Sequence, residues 1–122
     1  MRSRSLGVAV REKLKTEILG KEYELSLVFA DPKLSHKLNK TYRGKDNPTN
    51  VLAFPISKSS GEIFIDLKTA KKDAGKFGMT FEKFVQYLFI HALLHLKGMR
   101  HGAKMNKLEK QFLNGTTNRS RY

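Results

Sequence analysis

The sequence predicts an α+β fold. Residues 23–29 alternate apolar and polar positions as a strand does. Two further short apolar runs, 51–56 and 62–66, are joined by the tight polar connection "SKSSG". Helical periodicity marks segments before, between and after these strands. The 122 residues fit one compact domain spanning 1–122, and 39% hydrophobic residues suffice for a modest core.

Taken in order, residues 5–18 place Leu6, Val10, Leu14 and Ile18 on one helical face, and Gly20 is a plausible stop. In the first strand Tyr23, Leu25, Leu27 and Phe29 oppose Glu24, Ser26 and Val28. Asp31-Pro32 reads as N-cap and first residue of a helix reaching about Tyr42, with Leu34 and Leu38 as its inner stripe. "RGKDNPTN", 43–50, is rich in turn formers and reads as a loop. After the two strands, "LKTAKKDAGKFG" (67–78) reads as a short basic helix stopped by glycine. Thr80 then caps a helix from Phe81 to about Lys97, with Lys83 where a full capping box carries an acid. From Leu88 to Leu96 its only polar residues are His91 and His95, so it is expected to be buried nearly all round, with Gly98 as its left-handed terminator. Residues 103–113 form a last helix through Met105, Leu108 and Phe112, and 113–122 are expected to be a frayed tail.

The chain has no cysteine, which excludes disulfides and thiolate metal sites. It lacks a secretory h-region and any long apolar run, so no membrane association is expected, and the expected compartment is the cytoplasm. Twenty-four Lys and Arg against eleven Asp and Glu give a net charge of +13. Residues 1–50 hold 11 cations and 6 anions (+5) and residues 51–122 hold 13 and 5 (+8), so the excess is spread along the chain. A domain this basic attracts polyanions, of which nucleic acid is the commonest in a cytoplasm. The alternative is a basic protein with an acidic partner. No aromatic–basic alternation signals base stacking on a sheet.

The stretch "HALLHLKGMRH" carries the chemistry. His91 and His95 are four apart, so on a helix they lie about 40° apart on one face and both imidazoles can reach one point. Tyr87 lies a turn earlier, and the turn at Gly98 can return His101 to the pair. Three imidazoles leave a fourth tetrahedral position open, as in catalytic rather than structural zinc sites. Ordinary core histidines would each need a separate polar partner, which one metal ion supplies to both. His36, beside Lys37, reads as a surface residue.

The spacing H-x3-H-x2-G-x2-H equals the zincin-type, metalloprotease-like signature of metzincins, which carry a glutamate base directly after the first histidine. Ala92 stands there and cannot act as a base. With that glutamate missing and a charge of +13, a phosphodiester is the better substrate than a peptide.

"LNKTYRGKDNPTNVLAFP" (38–55), "GEIFI" (61–65) and "HALLHLKGMRH" (91–101), in this order and separation, resemble the YbeY family of bacterial rRNA maturation factors. The resemblance implies a single α+β domain: a small mixed β-sheet packed with helices around a central metal-bearing helix. It implies a zinc-dependent, single-strand-specific endoribonuclease acting in 16S rRNA 3′-end maturation and ribosome quality control. One Zn2+ per chain would be held by His91, His95 and His101, with Arg43 as the catalytic arginine. Its partners would be rRNA precursor, the ribosome and a ribosomal protein, with no dinucleotide cofactor. Arg43's planar fork suits phosphate, and Lys45 and Arg100 are further candidate RNA contacts.

The chain departs from the family at Ala92, usually Gly, and at Arg100, usually Asp. Gly61-Glu62 keeps the charge of the family's Gly-Asp, and Ala53 loses a hydroxyl. A first strand common in the family is expected to be absent. Glu109 matches a family acidic position but reads as part of a solvated helix face. An rRNA- or ribosomal-protein-binding assembly factor with a structural metal is the alternative function, and a small metalloprotease the third.

Overall fold

The computed structural model describes residues 6–119. Its centre is a strand with a partner on each side. β1 (Glu24–Ala30), β2 (Val51–Ser57) and β3 (Ser60–Asp66) form a mixed sheet in the order β1-β3-β2. β1 runs parallel to β3, with Leu27 opposite Ile63, and β2 runs antiparallel to it, with Ala53 opposite Ile63. β2 and β3 make a hairpin, so β3 begins at Ser60, two residues earlier than the sequence suggests.

Successive side chains of a strand point to opposite faces. Ile63 and Ile65 of β3 are fully buried on the face that also carries Leu25, Leu27, Val51 and Ala53. Helices α1 (Val8–Leu19), α3 (Leu67–Ala74), α4 (Phe81–Leu96) and α5 (Ala103–Arg119) gather on that side. α4 touches β2, β3 and the other three of these helices. Its apolar run therefore has packing partners around most of its circumference: Phe84, Val85, Phe89, Ile90 and Leu93 are inaccessible to solvent. The architecture is the expected one, a small mixed sheet with helices around a central helix bearing the histidines.

α2 (Pro32–Arg43) covers the opposite face. Here the expected stripe is corrected. Leu34 is 36% exposed, whereas Ser35 and Asn39 are buried. Asp66, itself buried at the end of β3, faces α2 and needs donors, and Ser35 Oγ donates to it at 2.8 Å. Asn39 donates to the carbonyl of Asn47 at 2.9 Å and so pins the 44–50 loop. Polar satisfaction outranks hydrophobicity on this face.

The helix ends follow from local chemistry. Asp66 caps α3 by accepting from Thr69 N at 2.9 Å. α3 stops at Ala74, earlier than expected, and a single 3-10 turn (Gly75–Phe77) leads to left-handed Gly78. Thr80 caps α4 through Lys83 N at 3.2 Å. At the other end Gly98 N–H donates to His95 O and Met99 N–H to Leu94 O, the paired closure that requires a positive φ at Gly98, here 103°. α5 continues to Arg119, past the expected end at Leu113, while tail residues 120–122 lie outside the described residues. Among the described residues no strand precedes β1.

Candidate metal centre and cleft

His91 and His95 sit one turn apart on α4, and the turn after Gly98 returns His101 to them. One ligand nitrogen from each lies within 4.8 Å of the other two. His91 Nε2 and His95 Nε2 are 3.2 Å apart, and the three ring centroids are separated by 4.6, 4.8 and 5.0 Å. Such crowding of basic nitrogens is unfavourable unless a shared cation or the neutral ring form relieves it. Burial first, then repulsion from His91 and His101, holds the His95 imidazole below the ordinary histidine range. The neutral ring is the form that ligates a metal.

Glu109 contradicts the expectation of a solvated face. Its side chain is only 4% exposed, and one carboxylate oxygen meets His91 Nδ1 in a short hydrogen bond. The same carboxylate lies near Tyr87 and acts on its phenol. A carboxylate on Nδ1 fixes the proton there and turns the Nε2 lone pair toward the other two histidines. Tyr87 is pushed above the ordinary phenol range by burial, then by the Glu109 charge and hydrogen bond. The signal for Glu109 was present in the sequence: Met105, Glu109 and Leu113 are spaced by four, and all three are buried. Leu108 and Phe112, which suggested the inner face, are only partly buried.

The histidines open onto a cleft of about 670 Å³ between α4 and β2. Arg43 and Tyr42, Thr49 and Asn50, β2 from Val51 to Pro55, and Ala92 line it with His91, His95 and His101. Arg43 is the last residue of α2 rather than a loop residue, and left-handed Gly44 (φ 68°) turns the chain away after it. Lys45 and Arg100 are exposed and do not line the cleft. Arg100 immediately precedes His101 in the turn between α4 and α5. His36 lies outside the cleft and pairs with exposed Asp46 at 2.7 Å, and this hydrogen bond, with Lys40, holds the Asp46 carboxyl below its usual range.

Ala92 is buried on the cleft side of α4. The position next to the first histidine therefore presents a methyl group, without a base, to whatever enters. The groups that remain are three nitrogen ligands for one cation, a guanidinium, and two exposed or half-exposed aromatic rings, Tyr42 and Phe54.

Comparison with known proteins places the chain and its fold. The family described as "Endoribonuclease YbeY" matches residues 3–117. An Endoribonuclease YbeY from Pelotomaculum thermopropionicum is 38% identical over 104 residues, covering 76% of this chain and 68% of that protein. One from Petrotoga mobilis is 34% identical over 113 residues, covering 90% of this chain and 78% of its own length. A Thermotoga maritima protein of known solution structure superposes with a TM-score of 0.68 at 26% identity, covering 93% of this chain and 80% of the other. With the sequence matched across nearly its whole length and the fold shared, the chain belongs to the YbeY endoribonuclease family.

Proposed function

We propose that this chain is a metal-dependent endoribonuclease that cuts single-stranded RNA. The carrying observation is the convergence of three histidine nitrogens within 4.8 Å on the wall of a cleft that Arg43 also lines. The donor set fits a divalent transition ion: all ligands are imidazoles, one has its tautomer fixed by Glu109, and another is biased toward the neutral form. Zinc is the ion we assign, one per chain. A divalent ion held there supplies Lewis acidity for phosphodiester hydrolysis.

The chain's own residues do the rest. Arg43 brings two parallel N–H donors to the scissile phosphate and offsets charge that builds on its oxygens. Glu109 holds His91 in one orientation. Ala92 leaves no carboxylate where a peptidase keeps its base, which disfavours peptide hydrolysis. The +13 charge draws RNA through its backbone. Within this reading the natural substrate is rRNA precursor in the cytoplasm, cut at the 16S 3′ end and in ribosome quality control, with the ribosome and a ribosomal protein as partners.

The test is elemental analysis of purified protein beside an RNA cleavage assay. The wild-type chain should carry about one zinc and lose cleavage on chelation, recovering it on metal return. His95→Ala should carry little metal, and His91→Ala should lose cleavage while still binding RNA. Cleavage that survives complete metal removal would sink the proposal. A salt-sensitive RNA complex without turnover would point to a binding factor with a structural metal.

A further inference from the structure

The cleft holds an aromatic group that the metal and arginine do not use. Tyr42 lines it, one residue before Arg43, with 65% of its surface exposed. A ring this exposed keeps most of its surface free to receive a planar ligand. The ring is also braced. It meets Phe54 edge-on at 5.0 Å and 61°, and Phe54 meets Phe64 of the central strand at 5.8 Å and 75°. Phe54 lines the same cleft. Tyr42 is therefore held by one ring contact while most of its surface remains open.

Two polar side chains nearby make hydrogen bonds within the fold. Asn50 donates to Asp73 at 3.0 Å, and Thr49 donates to the Val51 carbonyl at 3.3 Å. Thr49 thus has its one side-chain donor committed within the fold, and Asn50 is anchored through one of its two amide N–H groups. What this part of the cleft offers is a π-face beside a guanidinium.

We propose that Tyr42 is a base-stacking subsite: an unpaired nucleobase next to the phosphate held by Arg43 lies on its ring. This rests on the endoribonuclease reading and deepens it. A base within a duplex is already stacked and cannot also cover Tyr42, so the subsite selects unpaired strands. Every base has a π-face, so the subsite tolerates sequence.

The test pairs variants of the full zinc-loaded chain with single-stranded oligoribonucleotides carrying one abasic ribose, scanned across the cut. Tyr42→Ala should raise KM about tenfold with kcat little changed, in the range seen for loss of one base–aromatic stack. Tyr42→Phe should stay within about threefold of wild type, because stacking needs the ring and not the hydroxyl. For the wild-type chain, one abasic position next to the cut should cost the same tenfold. For Tyr42→Ala, that abasic strand should cost nothing further. The subsite is overturned if Tyr42→Ala leaves KM within twofold, or if the two losses multiply. Binding of the same strands, read by fluorescence anisotropy, separates the two proposals. If the wild-type chain cleaves nothing yet Tyr42→Ala and the abasic strand still lose affinity non-additively, the nuclease reading fails and the stacking subsite stands.

Discussion

Glu109 shows how one residue changes the meaning of its neighbours. A carboxylate on a basic helix usually faces water, and losing it there has little consequence. This one is buried against His91 and Tyr87. It acts through the histidine and is a positioning residue. Glu109→Ala should lower metal affinity by about 10- to 100-fold, measured by competition with a chromogenic chelator. Glu109→Gln keeps an acceptor oxygen and should recover part of that loss. Equal affinity in all three proteins would show that His91 needs no such partner. Tyr23 is a second informative residue. Its hydroxyl is buried and makes no hydrogen bond among the described residues, and burial pushes its pKa above the ordinary phenol value. Tyr23→Phe removes an unsatisfied polar atom from the interior and should raise stability at neutral pH by about 1 kcal/mol, read from urea unfolding.

At the scale of elements, β3 is held by contacts that leave no room for variation at Gly61. A Cβ at Gly61 would stand 2.3 Å from the Tyr23 hydroxyl oxygen and 3.0 Å from a methyl of Leu96. The glycine is needed for close approach and not for an unusual φ. Gly61→Ala should destabilise by about 1–3 kcal/mol, the usual cost of overpacking, and combining it with Tyr23→Phe should relieve part of that cost. Strict additivity in the double-mutant cycle would mean the two positions do not touch. Asp66 joins three elements at the other end of β3: it accepts from Ser35 of α2 and caps α3 through Thr69. α2 is fixed in place by these bonds, and with it Arg43 at the cleft.

At the scale of the molecule, charge and titration set the response to conditions. Tyr23 and Tyr87 both have phenols raised above the ordinary value of 10.0. The folded state therefore holds these protons more tightly than the unfolded chain does. Their contribution is fully present below about pH 10 and is lost as pH rises from there through the raised values. Thermal stability should fall with alkaline pH in that window, and the fall should be shallower in Tyr23→Phe. An unchanged slope in that variant would show that Tyr23 is not responsible. The +13 charge makes any RNA complex salt-sensitive, with log affinity falling by about 0.7 per phosphate contact for each decade of salt.

Much of this protein can be read from its sequence because local rules act over short distances. The alternation of strands, the caps at Asp31 and Thr80, and the glycine after α4 each depend on residues within a few positions. The three histidines are legible for the same reason: a four-residue helical spacing and one turn bring them together. The inner face of α2 was not legible, because Leu34 and Leu38 are the only apolar candidates on it until Asp66 arrives from a strand 31 residues away from Ser35. The burial of Glu109 could be read from its four-residue spacing with Met105 and Leu113, but its partner could not, because the histidine it meets is 18 residues away. By itself the sequence determined the elements, the basic character and the histidine cluster that could hold a metal. The tertiary structure alone decided which polar groups are buried together, that Arg43 and Tyr42 share a cleft with the histidines, and that Lys45 and Arg100 stay outside it. Those outcomes depend on where distant elements pack, and satisfying buried polar groups across elements is a constraint that no local pattern encodes.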